Sequence, residues 1–222
     1  MSATPHSRPH DVKIFIEHYQ KTYELTYEFW KQRNGIFLYL IGTIGLATLL
    51  TFRTPETNSI LIDLFAKALG VTDANRIDEL RKSFPFGLLQ TILLFVVFYL
   101  MVNLYHRSFY VLRNYQYLGA LEREIRQRLS LQTKSVFFTR ESDFYWNSRP
   151  FLLGTVKWVY IGLIGTLLLA FLGGRVYDDF QRGIFFLSVV DLAISVTIIT
   201  YFVAYARSSV VFDSPQKENN KT

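Results

Sequence analysis

Cysteine is absent from the 222 residues, and histidine occurs only four times. The absence of cysteine excludes a disulfide framework, an iron–sulfur cluster and a thiolate zinc site. The histidines do not form a site either, because His6 and His10 adjoin prolines while His18 and His106 stand alone. No nucleophile-elbow, phosphate-loop or dinucleotide-binding pattern occurs. We therefore predict a protein that is not an enzyme and that holds no metal and no cofactor.

Long apolar stretches dominate the chain instead, since half of its residues are apolar and 17% are aromatic. Blocks of about 18 or more apolar residues are typical of helices that cross a bilayer. The chain has four such blocks, at residues 35–52, 84–105, 151–173 and 184–206. The sequence thus predicts an all-α integral membrane protein with four transmembrane helices. Gly173 and Gly174 are predicted to end the third helix, which leaves residues 174–183 as a short link.

The segments between the blocks complete the predicted organisation. Two of them, residues 11–34 and 106–131, have apolar positions at spacings of three and four, which predicts helical extensions of the first two spans. In order, we expect a disordered tail (1–10), an amphipathic helix (11–34), a transmembrane hairpin (35–105) with an amphipathic loop (54–83), a helix and aromatic loop (106–150), a second hairpin (151–206) and a tail (207–222).

The loop at 54–83 contains signals for two short helices. Apolar residues from Ile60 to Leu69 share one helical face, and Gly70 is expected to end that helix. Either Thr72 or Asp73 can cap a second, polar helix. The first helix is too short to span a bilayer, so we expect it to lie at the membrane surface.

Lys and Arg are distributed unequally between the two sides of the predicted spans. Residues 1–34, 106–150 and 207–222 carry sixteen, while the connections at 53–83 and 174–183 carry seven. Because cytoplasmic loops are enriched in Lys and Arg, we expect both termini and residues 106–150 to be cytoplasmic.

This orientation places the two amphipathic extensions on the same side of the membrane. Each would expose an apolar, aromatic stripe to water if it stood alone, so we predict that they pack as an antiparallel cytoplasmic hairpin. The residues predicted to form the contact are Tyr19, Tyr23 and Tyr27 on the first helix and Tyr115, Leu118 and Ile125 on the second.

Four glycines occupy a similar pattern in the first and third spans. The stretch Tyr-Leu-Ile-Gly-Thr-Ile-Gly in the first span resembles Tyr-Ile-Gly-Leu-Ile-Gly in the third, which suggests either an internal duplication or a chance match of common residues. Small residues let helices approach closely in lipid. We therefore predict helix contacts, within one chain or between subunits, at Gly42, Gly45, Gly162 and Gly165.

Charged and amide side chains inside the spans are the candidate functional residues. Asp191 lies seven residues into the fourth span, where a carboxylate is costly and should face the bundle interior, a pore or a partner. It either contributes to an ion or proton pathway or fixes helix packing through hydrogen bonds. Gln90, on the second span, could approach Asp191 at similar depth. Lys157 lies near the start of the third span and can extend toward the interface.

The Arg-rich stretch 107–128 could suggest nucleic acid. Because it adjoins a membrane, contact with anionic lipid headgroups is the simpler explanation, and no nucleic-acid partner is predicted. The aromatic segment 135–146 is expected to lie on the interface, or to bind a small ligand or a protein partner against the helical hairpin.

A Tyr-rich helix (Tyr19 to Trp30) leads into the first span, and a second span continues as a long helix (Tyr105–Leu129). This layout resembles the SLATT class of small bacterial membrane effectors over about the first 130 residues, although the second pair of spans departs from the usual two-span plan. The resemblance implies an oligomeric, pore-like effector of a bacterial conflict system, triggered from the cytoplasm. The expected location is then the bacterial cytoplasmic membrane.

Two functions follow from these expectations. The first is a homo-oligomeric, channel-like or membrane-perturbing effector that is controlled from the cytoplasmic side and uses Asp191 and Gln90. The second is a membrane scaffold or assembly subunit that recruits a protein partner through its cytoplasmic helices. The two differ in whether Asp191 or the helix at 11–34 is indispensable.

Overall fold

A computed structural model describes residues 9–52, 55–71, 73–83, 86–131, 151–182 and 185–211. Within these ranges the chain forms helices and no strand. The helices are α1 (Pro9–Thr51), α2 (Pro55–Ala68), α3 (Ala74–Ser83), α4 (Phe86–Arg128), α5 (Phe151–Arg182) and α6 (Phe185–Val211). The predicted all-helical class is confirmed.

Four of these helices, α1, α4, α5 and α6, are long and apolar enough to cross a membrane. In the most apolar stretch of each, no more than 28% of the residues are buried within the protein. Large apolar side chains therefore cover the outer surface, as a lipid-facing bundle requires. Helices α1 and α4 have 43 residues each, which is about 65 Å at 1.5 Å per residue and far exceeds a bilayer core of about 30 Å.

The chain divides into two compact units. The terminal unit comprises Met1–Gly35, Leu104–Val159 and Ala204–Thr222, and the bundle unit comprises Ile36–Asn103 and Tyr160–Val203. The core of the bundle unit consists of fully buried aliphatic and aromatic side chains contributed by all four long helices, including Leu40, Ile44, Leu94, Met101, Ile164, Leu168, Phe171 and Ile198.

In the terminal unit, the amino-terminal part of α1 packs antiparallel to the carboxyl-terminal part of α4. The Arg128 guanidinium lies 4.2 Å from the Phe15 ring centroid at one end of this contact. At the other end, Phe29 stacks on Tyr110 with ring centroids 5.8 Å apart. The predicted pairing of these two helices is therefore present in the structure.

The predicted face of α4 is correct, whereas that of α1 is shifted. Leu118 and Ile125 are buried, and Tyr19, Tyr23 and Tyr115 are half-buried. Tyr27, however, is 53% exposed and stacks on Trp30 on the outside of the helix.

Threonine explains the shift on α1. Thr26 is buried, and both Thr22 and Thr26 donate their hydroxyl hydrogens to the backbone carbonyl four residues earlier. A threonine that is satisfied in this way enters the contact without a further polar partner. The helix therefore turns Thr26 inward and Tyr27 outward.

The connection between α1 and α4 contains the two predicted short helices. Gly70 adopts a left-handed conformation (φ +71°) just after α2, and its amide and that of Val71 donate to the carbonyls of Lys67 and Ala66. This geometry is the common glycine termination of a helix. Asp73 caps α3, since its Oδ1 accepts the backbone N–H of Asn75 at 3.0 Å.

Two predicted boundaries are wrong. Helix α5 does not end at Gly173 and Gly174 but continues to Arg182, and α1 begins at Pro9 inside the predicted tail. Both glycines lie within a helix of 32 residues whose packing outweighs their low helix propensity. The remaining tail predictions at 1–8 and 212–222, and the aromatic segment 135–146, lie outside the described residues.

Candidate functional site

The continuation of α5 past Gly174 places Arg175 inside the bundle unit, where its side chain is only 3% exposed. The sequence pattern indicates Arg175 only as one of the two cationic residues of the predicted link at 174–183. A buried guanidinium has five N–H donors and cannot lose its charge, so it needs acceptors around it. The structure supplies these acceptors from helices α4, α5 and α6.

Asp191 of α6 makes the closest contacts with Arg175. Its Oδ2 atom accepts hydrogen bonds from Nη2 at 2.6 Å and from Nε at 2.9 Å. Asp191 is 1% exposed, so this ion pair is almost completely removed from solvent. Asp191 is therefore neither a free carboxylate nor a residue on an open path, but one half of a buried salt bridge.

Two neutral side chains of α4 complete the surroundings of the guanidinium. Gln90 Oε1 accepts a hydrogen bond from Arg175 Nη1 at 2.8 Å, and Thr91 Oγ1 accepts one from Nη2 at 2.9 Å. Gln90 itself is fully buried. The structure therefore brings Gln90 close to Asp191, because both side chains bind the same guanidinium.

Gln90 also links the site to the end of α1. Its Nε2 atom donates to the backbone carbonyl of Leu50 at 2.9 Å. Carbonyls in the last turn of a helix lack partners within the helix, and Leu50 lies just before the end of α1 at Thr51. One amide side chain therefore satisfies a buried helix end and orients Arg175 at the same time.

Helices α5 and α1 approach each other closely beside Arg175. A Cβ atom at Gly174 would lie 2.6 Å from Cγ2 of Thr51, a distance that real side chains do not tolerate. The neighbouring Gly173 has open space in the same position. Gly174 is therefore a packing residue, and it lets α5 place Arg175 beside the end of α1.

Asp179 adds a second carboxylate to the cluster. Its Oδ1 atom lies 3.2 Å from Arg175 Nη2, one helical turn along α5, and the residue is 6% exposed. Asp179 Oδ2 and Asp191 Oδ1 are buried and receive no hydrogen bond from any described residue. We call Arg175, Asp179, Asp191, Gln90 and Thr91 the polar cluster.

The other predicted intramembrane charge lies elsewhere. Lys157 belongs to the terminal unit, is half-exposed, and has its Nζ atom 5.7 Å from the Trp158 ring centroid. Two serine hydroxyl groups near Asp191 donate to backbone carbonyls. Ser195 donates to the Asp191 backbone carbonyl at 2.7 Å, and Ser188 donates to that of Asp179 at 3.3 Å.

The four glycines that were predicted to make helix contacts have different surroundings in the structure. A Cβ at Gly165 would meet the Phe202 ring at 3.1 Å, so this residue makes the predicted contact between helices of one chain. At Gly42, Gly45 and Gly162 no atom of the described residues lies within 4 Å of such a Cβ, and contacts at these three positions, within the chain or between subunits, stay a prediction.

A second polar contact lies in the terminal unit. Glu122 of α4 is fully buried, and its Oε1 accepts the hydroxyl hydrogen of Tyr19 at 2.8 Å. Nearby, His18 Nε2 and the Tyr117 hydroxyl are 2.8 Å apart on the exposed side. These contacts explain why Tyr19 lies at the helix pair while Tyr27 does not.

We expect Tyr19→Phe to destabilise the terminal unit. The substitution preserves the ring but removes the hydroxyl donor of a buried carboxylate, which costs about 1–3 kcal/mol. Limited proteolysis, followed at α1 and α4, should detect faster opening of this helix pair. Tyr27→Phe is the matched control because its ring is exposed, and equal proteolysis rates in the two variants would contradict the assignment.

No three His, Asp or Glu side chains converge as a metal ion requires anywhere in the described part of the chain. The polar cluster instead has the composition of a helix-joining ionic network, with one fixed positive charge and two carboxylates. Comparison of the chain with family models, with curated proteins and with solved structures finds no match. Function must therefore be inferred from the geometry of the polar cluster.

Proposed function

We propose that this chain is a non-enzymatic, polytopic membrane protein that acts as a homo-oligomeric, channel-like or membrane-perturbing effector, controlled from its cytoplasmic helices. The buried Arg175–Asp191 pair is the observation that carries the proposal. Ionisable residues within membrane-crossing helices are expensive and commonly mark sites of ion passage or gating. In this proposal both termini are cytoplasmic and the membrane is the bacterial cytoplasmic membrane.

The role of Asp191 differs from that of a simple pore-lining carboxylate. Because Asp191 is bound to Arg175, the polar cluster acts as a latch that holds the four long helices of the bundle unit in a closed arrangement. Opening separates the ion pair and exposes its charges to the conducting path. Two arrangements of one ionic network are the kind of bistable element that gating requires.

Assembly from several copies is part of the proposal. Gly42, Gly45 and Gly162 are exposed or half-exposed in the bundle unit, and no described residue lies within 4 Å of a Cβ added at any of them. Small residues on the outer surface of membrane helices favour close approach of a second helix. A pore could then form between subunits, as the SLATT-like layout implies.

The scaffold function remains the second candidate because of the surface of the terminal unit. Tyr27 and Trp30 stack on each other on the exposed surface of α1, and Tyr110 and Tyr117 are about half exposed on α4. Exposed aromatic side chains are frequent in protein interfaces and in the interfacial region of membranes. A protein partner of this surface would make the terminal unit the functional part.

Single-channel recording of the purified protein in planar bilayers tests the proposal. We expect Asp191→Asn to raise the ratio of open to closed states at least about tenfold, because a hydrogen bond to a charged group is worth about 1.5–3 kcal/mol and every 1.4 kcal/mol is a factor of ten. Thr200→Ala is the matched control on α6, since its exposed hydroxyl bonds only to its own helix at Val196.

Several outcomes decide between the candidates. Absence of any conductance from the wild-type protein, or identical gating in Asp191→Asn, would overturn the channel proposal. Mass measurement in detergent should show more than one copy per particle. Retained partner capture in Asp191→Asn, lost on deletion of residues 11–34, would instead favour the scaffold.

A further inference from the structure

The charges of the polar cluster do not balance. Arg175 contributes one positive charge, whereas Asp179 and Asp191 contribute two negative charges when both are ionised. All three side chains are at least nine-tenths buried, at 3%, 6% and 1% exposure. A net charge buried among apolar helices is strongly unfavourable, and a buried acid commonly removes it by holding a proton.

The hydrogen bonds show where such a proton would reside. Asp191 Oδ2 accepts two N–H donors of Arg175, at 2.9 and 2.6 Å, so this carboxylate is the closest partner of the guanidinium. Asp179 has a single, longer contact of 3.2 Å with the same guanidinium. Its Oδ2 atom is buried with no donor directed at it, as is Oδ1 of Asp191.

The groups around Asp179 increase this difference between the two carboxylates. The charged residues that act on Asp179 are Arg175, Asp191 and Asp178, so two negative charges oppose one positive charge at its position. The neighbouring helices direct neutral groups at the cluster: Gln90 and Thr91 from α4, the Leu50 carbonyl through Gln90 from α1, and Ser188 from α6, which donates to the Asp179 backbone. None of these groups can replace a missing positive charge.

We infer that Asp179, Asp191 and Arg175 form a proton-binding site, in which Asp179 holds one proton in the closed bundle while Asp191 stays ionised against Arg175. Loss of this proton leaves two carboxylates beside one guanidinium and weakens the packing of the bundle unit. The site does not depend on the proposed channel activity, and its test uses the folding equilibrium rather than conductance.

The stability of the protein should therefore change with pH in a defined direction. A proton that is bound in the folded state and absent in the unfolded state stabilises the protein at low pH, and this stabilisation is lost as pH rises. Above the range in which a free aspartic acid ionises, the folding equilibrium constant should fall about tenfold more per pH unit in the wild type than in Asp179→Asn. This difference ends at the pH at which the folded protein releases the proton.

Reversible unfolding of the full-length protein in mixed micelles, followed over a pH series, measures this dependence. Asp179→Asn has the shape of the protonated acid, so we expect unchanged stability at acidic pH and loss of the extra slope. Asp178→Asn is the comparison variant, and it should retain the slope of the wild type but lose it at a lower pH, because one negative charge near Asp179 is removed. Infrared difference spectra at mildly acidic pH should show the carbonyl band of one protonated carboxylic acid, and Asp179→Asn should lack this band.

Three results would overturn the inference. The first is equal pH slopes in the wild type and Asp179→Asn, and the second is an infrared band that persists in that variant. The third is a slope that varies with sodium concentration at constant ionic strength, which would assign the site to a metal cation.

Discussion

Arg175→Met is expected to destabilise the protein more than any other single substitution in the bundle unit, by about 3–5 kcal/mol. Methionine fills much of the volume of the arginine stem, so the loss comes from electrostatics rather than from a cavity. Without the guanidinium, Asp191 and Asp179 remain buried with no cation, and Gln90 and Thr91 lose their donor. Unfolding of the purified protein in micelles should show the change directly.

Combined variants distinguish the effect of unpaired charge on stability from the effect of side-chain shape. Arg175→Met together with Asp191→Asn and Asp179→Asn carries no charge in the cluster, so most of the lost stability should return. Arg175→Lys keeps the charge but cannot reach several acceptors in the planar arrangement of a guanidinium, so it should be intermediate. If the triple variant is less stable than Arg175→Met alone, unpaired charge is not the cause of the loss.

Gly174→Ala and Gly173→Ala should have opposite effects although the residues are adjacent. The methyl group at position 174 would lie 2.6 Å from Cγ2 of Thr51, and we expect a loss of about 1–3 kcal/mol from the resulting overpacking. Thr51 cannot easily turn away, because its hydroxyl donates to the Ala47 carbonyl at 2.8 Å. At position 173 the methyl group meets open space, and alanine is favoured over glycine in a helix by up to about 1 kcal/mol.

A second substitution, at Thr51, should relieve this clash. Thr51→Ser removes only Cγ2 and keeps the hydroxyl that bonds to Ala47, and the next nearest atom to the new methyl, Thr51 Cβ, is at 3.8 Å. Gly174→Ala should therefore recover most of its stability in the Thr51→Ser background, as measured by thermal unfolding in the same detergent. A loss that is the same in both backgrounds would place the clash elsewhere.

The number and order of the long helices followed from composition and periodicity, because a long apolar block has few structural alternatives. The burial of Arg175 at the centre of the polar cluster could not be predicted in this way. A Gly-Gly pair is typical of a helix end, so the sequence pattern places Arg175 in a link rather than inside a span. Packing against Thr51 is what makes Gly174 compatible with a continuous helix, and that contact lies more than one hundred residues away along the chain.

A signal for the ion pair was nevertheless present in the sequence. In an antiparallel helical hairpin, residues at similar distances from the connection lie at similar depth. Arg175 precedes Arg182, the end of α5, by seven residues, and Asp191 follows Phe185, the start of α6, by six. A continuous α5 therefore predicts that the two charges meet, whereas the interaction of Gln90 with both a helix end and a guanidinium could not be deduced without the fold.

The hairpin geometry of Arg175 and Asp191 has a consequence for biogenesis. Both members of the ion pair lie in the same pair of consecutive helices, separated by sixteen residues. In the proposed membrane arrangement, the arginine and the aspartate enter the bilayer together and neutralise each other before they contact the first hairpin, which lowers the cost of inserting either one. Gln90 and Thr91 belong to a helix synthesised earlier, so their bonds to Arg175 form when the second hairpin docks against the first. The cluster thereby distinguishes a fully assembled bundle from a half-inserted one.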